Sequence, residues 1–412
     1  MTLLHNLRNI YCKRLMKNKK IELASPDYCT GCSVCADVCP TKSIVMSDEG
    51  KLFLYPIINH QTCIACGKCM RVCPSINPLQ EYSFKQQYFA AWNNDEAERN
   101  KSTSGGIGTA LAKTAVSLGY AVCGAQFDDS FNVIHKLVQS ESEIEHFRGS
   151  KYVQSSTVGI YAAVVDYLKD GGKVLFIGTP CQVEAVKRYV PLQLTDYLLT
   201  CEIVCHGVNS PKVWSDFKQC LQEDVGSSLQ SYHFRSKSKG WQRPSGSPNL
   251  RVAYTFQNGK SVDIPAWKNQ FHYWFGQHYM LRPSCSHCLY RKENRRADLI
   301  IADFWGVQHV VPEVDTFKGV SAVIASTEKG LSFIKSVDNI SLYPVDKSKT
   351  KQVLRGFLEQ KNEAEQQKEI EREHVFESEY VVQGFRAMAK KYPHHTELSM
   401  FFHKIKCKLG LG

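Results

Sequence analysis

No run of eighteen apolar residues occurs in the chain, so a membrane-spanning helix is not expected. The opening "MTLLHNLRNIYCKRLMKNKK" has neither a continuous apolar core nor a small-residue cleavage site, so it does not read as a secretory signal. Zinc-finger histidine spacing, RNA-binding aromatic motifs and a homeodomain pattern are also lacking. Despite a formal net charge of +11, nucleic acid is therefore not an expected partner. Residues 1–24 place Leu3, Leu4, Leu7, Ile10, Tyr11 and Leu15 at helical spacing among lysines and arginines. They predict a basic amphipathic segment that packs on its own domain or makes a peripheral contact with a membrane surface or a partner.

Cysteine is what the chain has in abundance, with 17 in 412 residues. A chain this long has room for two or three domains. With no export signal, it is expected in the reducing cytoplasm or at a membrane surface, where clustered thiols serve as metal ligands and not as disulfides. Two stretches stand out: "CTGCSVCADVCP" at 29–40 and "CIACGKCMRVCP" at 63–74. Each reads C-x2-C-x2-C-x3-C-P. Structural zinc usually takes its four ligands as two separated pairs. Four thiols this close, repeated once, match the bacterial two-cluster ferredoxin run, in which the fourth Cys of each run serves the other cluster. The expected ligand sets are Cys29, Cys32, Cys35 and Cys73 for one [4Fe–4S] cluster, and Cys63, Cys66, Cys69 and Cys39 for the other. Such clusters carry negative charge and offset part of the formal excess of cations.

A ferredoxin would end near residue 80. After the polar linker 77–87 the chain alternates apolar strands (120–127, 173–178, 197–204, 250–256, 297–303 and 320–326) with helices (106–118, 156–169, 181–189, 211–224 and 328–336), which predicts an α/β domain with a mixed sheet. Beyond about 346 a polar helix, read as a solvated lid or an interaction arm, leads into a basic, aromatic tail. Several loops look chemical. "STSGGIG" (102–108) places hydroxyls and glycines before a helix, where phosphate binds well. Capping alone would look similar. Cys181 in "GTPCQ" and Cys205 in "CHGV" follow strands directly, at the sheet edge where α/β proteins bind ligands, and "CSHC" adds Cys285 and Cys288. These four thiols suffice for a third [4Fe–4S] cluster, with zinc as the rival. Cys12, Cys123, Cys201, Cys220 and Cys407 read as small core residues, although Cys201 lies only four residues before Cys205. The loop "HFRSKSKGWQRP" (233–244) interleaves Arg235, Lys237, Lys239 and Arg243 with Trp241, where a planar anion can stack and be held, or where a solvated loop is anchored by one Trp.

With these motifs in order, the chain resembles the family of beta subunits of coenzyme F420 hydrogenases and dehydrogenases, in the form with a fused N-terminal two-cluster ferredoxin. The matching stretches are "TSGGIGTALAKTA", "GSKYVQS", "GTPCQVEA", "CHGVNSP", "FRSKSKGW", "PSCSHCLY" and "ADLIIADFWG", and they cover about 27 to 330. The resemblance implies FAD in the body and a third [4Fe–4S] cluster on Cys181, Cys205, Cys285 and Cys288. It also implies flavin-binding positions at Ser104, Gly105 and Gly106 and at Ser150, Lys151 and Tyr152. The expected architecture is an α+β ferredoxin-like module (25–80), an α/β flavin-binding domain with a mixed sheet (88–345) and a helical tail (346–412).

Clusters move one electron at a time, whereas F420 and most organic substrates exchange two; a flavin converts between them. The expected function is therefore an iron–sulfur flavoprotein oxidoreductase. Its partners would be a redox protein or ferredoxin on one side and a small two-electron carrier, F420 among the candidates, or a metabolite on the other. His206 is the candidate for any protonation, or is a packed neighbour of Cys205. The alternatives are a non-catalytic electron relay within a larger redox complex, a reductase of a metabolite that does not use F420, and a structural zinc protein.

Overall fold

The computed structural model describes residues 21–78, 85–243 and 245–396. The predicted amphipathic segment before Ile21 and the last part of the basic tail lie outside these residues. The front module holds two short helices, Val34–Asp37 and Lys68–Val72, and an antiparallel pair, β1 (Ile44–Ser47) and β2 (Tyr55–Ile58). Both helices start on a glycine or serine with positive φ (Ser33 at 63°, Gly67 at 68°) inside a thiol loop. A tight left-handed corner of this kind favours small residues.

The body is a mixed α/β sheet. Its strands are β3 (Gln87–Asn93), β4 (Tyr120–Phe127), β5 (Val133–Val138), β6 (Lys173–Gly178), β7 (Leu198–Ile203), β11 (Leu299–Asp303), β12 (Ser321–Ala325) and β13 (Ile340–Pro344). They run in the order β13-β3-β12-β11-β7-β6-β4-β5. The central strands β11, β7, β6 and β4 are parallel neighbours, and the flanks are antiparallel. Helices Ile107–Ser117 and Glu328–Lys335 cover one face, while Ile160–Lys169 and Pro180–Tyr189 cover the other. Burial on both faces is why the central strands read as unbroken apolar runs. A separate meander, β8 (Leu229–His233), β9 (Arg251–Phe256) and β10 (Ser261–Pro265), packs with helices Pro211–Val225 and Gln270–Gly276 around Trp214, Phe271 and Trp274.

The six strands and five helices expected in the body are present within a few residues. β3, β5, β8, β10 and β13 were not expected, because stretches such as "LQSYH" and "ISLYP" are short and only partly apolar.

The C-terminal polar helix corrects the sequence reading. Glu363–Lys391 is neither a free lid nor an arm, because Phe376, Tyr380 and Met388 are buried in the aromatic core with Trp274. Its polar sequence conceals a narrow apolar stripe at three- and four-residue spacing. Gly384 (φ 71°, ψ 175°) interrupts the helix, a conformation that glycine adopts at little cost.

The front module docks on the body through buried polar contacts. Arg282, 1% exposed, donates to the carbonyls of Cys29 (2.5 Å) and Leu54 (3.0 Å) and to Gln154 Oε1 (2.9 Å), and lies over the Tyr55 ring at 4.5 Å. The Asp37 carboxylate accepts from the backbone N–H of Gly159 (2.7 Å) and Tyr161 (3.0 Å). It thereby caps the start of helix Ile160–Lys169 from the other domain.

Candidate functional site

The twelve thiols singled out from the sequence fall into three neighbourhoods. Cys73 stands with Cys29, Cys32 and Cys35, and Cys39 with Cys63, Cys66 and Cys69, so the fourth Cys of each run sits among the thiols of the other. Cys35 also neighbours Cys69, which places the two groups side by side. In the body, Cys181, Cys205, Cys285 and Cys288 converge at the carboxyl edge of β6 and β7, and Cys32 of the front module neighbours Cys181. The local sequence explains the placing of Cys181. Thr179 N–H bonds Gln182 Oε1 at 3.0 Å, and Pro180 opens the helix, which points the second residue at the sheet edge. Cys201 lies in β7 with its side chain in the opposite core, away from this group. Cys123 is likewise a core residue.

Burial pushes Cys32 and Cys205 up to about 12, with neighbouring thiols adding to the rise, and raises Cys35, Cys181 and Cys285 further. Such thiols resist ionising alone. A metal cluster that binds them as thiolates removes that cost, so the donor sets fit iron–sulfur ligation, with release of protons on loading. Among the described residues no three His, Cys, Asp or Glu side chains converge on a point suited to a single metal ion. Thiolates ringing a cubane stand farther apart than those on one ion.

The residues read as flavin-binding gather at the same sheet edge, beside β11 and β12. Many are occupied by the fold itself. Ser104 Oγ donates to the Val320 carbonyl, and Gly105 N–H donates to Ser321 Oγ. A Cβ on Gly105 would come within 2.4 Å of the Ala91 carbonyl oxygen, so close sheet contact requires glycine there. Gly106 starts the helix at φ 79°. Ser150 N–H donates to Thr103 Oγ1, and the Lys151 ammonium donates to the carbonyls of Ala125, His146 and Arg148. Burial pushes Lys151 down to about 7.

Arg235 is at the centre of what remains. It donates to Tyr152 Oη at 2.6 Å, pairs with Asp303 at 3.2 Å, and lies 4.0 Å from the Trp241 ring centroid. Burial alone would lower its pKa, but Tyr152 and Asp303 outweigh it and keep it charged. Trp241 stacks on Trp305 at 5.5 Å and 7°, and its buried Nε1 has no hydrogen-bond partner among the described residues. This orphaned donor beside a stacked guanidinium fits a planar group bearing acceptors. Lys239 is exposed. Lys237, two residues earlier, faces inward and donates to the carbonyls of Arg99, Ser104 and Lys318. Nothing in the alternation of "RSKSKGW" favours one lysine over the other.

His206 meets His278 at 2.5 Å (Nε2 to Nε2), and His278 Nδ1 meets Glu369 Oε1 at 2.8 Å. Burial, with His278 adding to it, pushes His206 down to about 3, so its imidazole is neutral. His278 and Glu369 gave no sequence signal, since one lies in a turn and the other in a polar helix.

Comparison with known proteins gives the family of the chain. The model of the 4Fe-4S dicluster domain matches residues 28–77. The N-terminal and C-terminal models of the coenzyme F420 hydrogenase/dehydrogenase beta subunit match 88–161 and 171–349. The chain belongs to this family of beta subunits. It is an iron–sulfur member of it. An F(420)H(2) dehydrogenase subunit of Methanosarcina mazei is 26% identical over 183 residues, 42% of this chain and 51% of that protein. An uncharacterised protein of Methanocaldococcus jannaschii is 25% identical over 206 residues, 42% of this chain and 56% of the other. The chain thus spans about half the length of these relatives. A chain of the F420-reducing [NiFe] hydrogenase complex from Methanosarcina barkeri is similar at a TM-score of 0.44 and 19% identity, over 75% of this chain and 96% of that one. Among the described residues no helix is long and apolar enough to cross a membrane.

Proposed function

We propose that this protein is an iron–sulfur flavin oxidoreductase that carries electrons between a redox partner protein and a two-electron acceptor or donor, with coenzyme F420 as the first candidate. The observation that carries the reading is the succession of three thiol groups. The group with Cys39, Cys63, Cys66 and Cys69 is outermost, the group with Cys29, Cys32, Cys35 and Cys73 follows, and Cys181, Cys205, Cys285 and Cys288 lie innermost, next to Cys32. When bound, clusters would supply one-electron steps and FAD the exchange between single electrons and pairs.

The chain's own residues supply distance and charge. Arg282 and Asp37 hold the front module at one distance from Cys181. Arg235, kept charged by Asp303, together with the Trp241 indole N–H, would hold an anionic planar group at the sheet edge. Trp305 stacks on Trp241, and the neighbouring Phe304 is buried in an apolar cluster with Val307 and Val320. His206 is neutral, shares a hydrogen bond with His278 and through it reaches Glu369, so it is not a cationic proton donor. Ile64, 62% exposed beside Cys63, suits docking of a redox partner at the outer group. F420 as substrate is supported by family membership and by the name of the Methanosarcina mazei relative.

Anaerobic analysis of iron, sulfide and flavin tests the reading. The expected result is four irons for each of three thiol groups and one FAD per chain. Cys288→Ser should lose the irons of one group and leave those of the front module. Iron without flavin would refute the flavin part, and zinc without sulfide would refute the whole. Steady-state turnover with F420, nicotinamides and a reduced metabolite panel then identifies the two-electron partner.

A further inference from the structure

Two tyrosines line the gap between the inner front thiol group and the body thiol group. Tyr161, fully buried, is in the first turn of helix Ile160–Lys169, with its backbone N–H held by Asp37 and its ring stacked on Phe176. Cys32 belongs to the same packed cluster. Tyr290, 9% exposed, follows Cys288 by two residues and packs near Pro180, Val183 and Glu184 of the helix that carries Cys181. Both phenols neighbour Cys32 and Cys181. Both phenol oxygens are buried with no hydrogen-bond partner among the described residues. Thr157, the hydroxyl beside Tyr161, donates its own proton to the Cys32 carbonyl.

A buried hydroxyl left unsatisfied costs about 1–3 kcal/mol, and a phenylalanine at either position would avoid that cost with the same ring. Thr157 Oγ1 stands beside the Tyr161 hydroxyl as one acceptor, and the sulfurs of the two thiol groups are the others that both phenols face. We propose that Tyr161 and Tyr290 donate O–H hydrogen bonds to cluster or thiolate sulfur across the junction between the front module and the body, and that they raise the reduction potential there. The physical reason is charge. Adding an electron makes the sulfur more negative, a donor stabilises that form more than the oxidised one, and hydrogen bonds to sulfur are among the main determinants of cluster potential. The two tyrosines are positioning residues, since the electron need not reside on either ring. Their placement would make the junction an energetic step that favours flow inward from the outer group.

This inference rests on the three-cluster reading, and the experiment separates the two. Wild-type protein, Tyr161→Phe, Tyr290→Phe and the control Tyr189→Phe are loaded anaerobically, assayed for iron and sulfide, and titrated redox-wise by electron paramagnetic resonance. Each of the first two variants should keep full iron and move one cluster to lower potential, by about tenfold in the reduced-to-oxidised ratio, or about 59 mV for a one-electron couple. Tyr189→Phe, whose hydroxyl bonds the Asp37 carbonyl at 3.3 Å, should leave the potentials unchanged. On wild-type protein, deuterium exchange should remove a proton coupling from the reduced-cluster signal, and the same coupling should be absent in the Phe variants. Full iron with unmoved potentials, or no exchangeable coupling in the wild type, overturns this inference alone. Iron for only two clusters in the wild type overturns it together with the three-cluster reading.

Discussion

Replacing Arg282 by alanine should undock the front module without unfolding the body. The side chain is 1% exposed and gives charge-assisted hydrogen bonds to two main-chain carbonyls, of Cys29 and Leu54, and to Gln154 Oε1. Truncation leaves three buried acceptors without a donor, at about 1–3 kcal/mol each before relaxation. Water entering the vacated volume recovers part of this, so a net loss of about 3 kcal/mol is expected. At about 1.4 kcal/mol per tenfold, the undocked state becomes roughly a hundredfold more populated. Hydrogen exchange read by mass spectrometry on the anaerobic holoprotein measures it directly. The amides to watch are Gly159 and Tyr161, whose acceptor is Asp37, and Leu52, whose acceptor is Glu377 Oε1. Their protection should fall about a hundredfold, while β4, β6 and β7 keep theirs. Arg282→Lys, with a single compact donor group, should fall in between. Unchanged protection at these amides would refute the docking role, and equal loss across β6 and β7 would show that Arg282 supports the whole fold instead.

Two further outcomes follow from the same reasoning. Trp274→Ala should cost about 3–5 kcal/mol, because the indole is fully buried, packs on Phe376 and Phe385, and donates to the Tyr392 carbonyl at 2.8 Å; limited proteolysis should then cut within 363–391 first, and resistance there would contradict the packed-helix assignment. Burial alone would raise the Glu98 pKa, but Arg148 and Lys113 at 2.5 and 2.9 Å outweigh it and hold it below the usual range. Its contribution to stability is therefore complete above the ordinary glutamate value of about 4.3 and is lost as pH falls through the lower folded value. Glu98→Gln should flatten the acid limb of urea midpoint against pH, and an unchanged slope would refute it.

Strands β4 and β6 were legible to the residue, because "YAVCGAQF" and "KVLFIG" are apolar runs bounded by turns and polar residues and buried on both faces. The thiol spacing was legible for a local reason, since each run carries its turn residues and donors within twelve positions. The role of Lys151 was not legible. Its ammonium is spent on three carbonyls from β4 and its own loop, contacts that exist only once Ala125 is brought beside it. The same holds for Glu373, which is buried and bonded to Ser286 although its helix reads as solvated. Burial of a polar residue depends on what packs over it, and residue 373 meets residue 286 only in the folded chain.

Local spacing thus set out eight cysteines as two runs of candidate donors, because a ligand loop is built from neighbours in the chain, whereas folding brought Cys181, Cys205, Cys285 and Cys288 together. Tertiary packing decided the order in which the three sets stand, through contacts such as Arg282 to Cys29 and Asp37 to Gly159 that join residues more than a hundred positions apart. Distance between donor sets is a property of docked surfaces, and no stretch of a dozen residues encodes it.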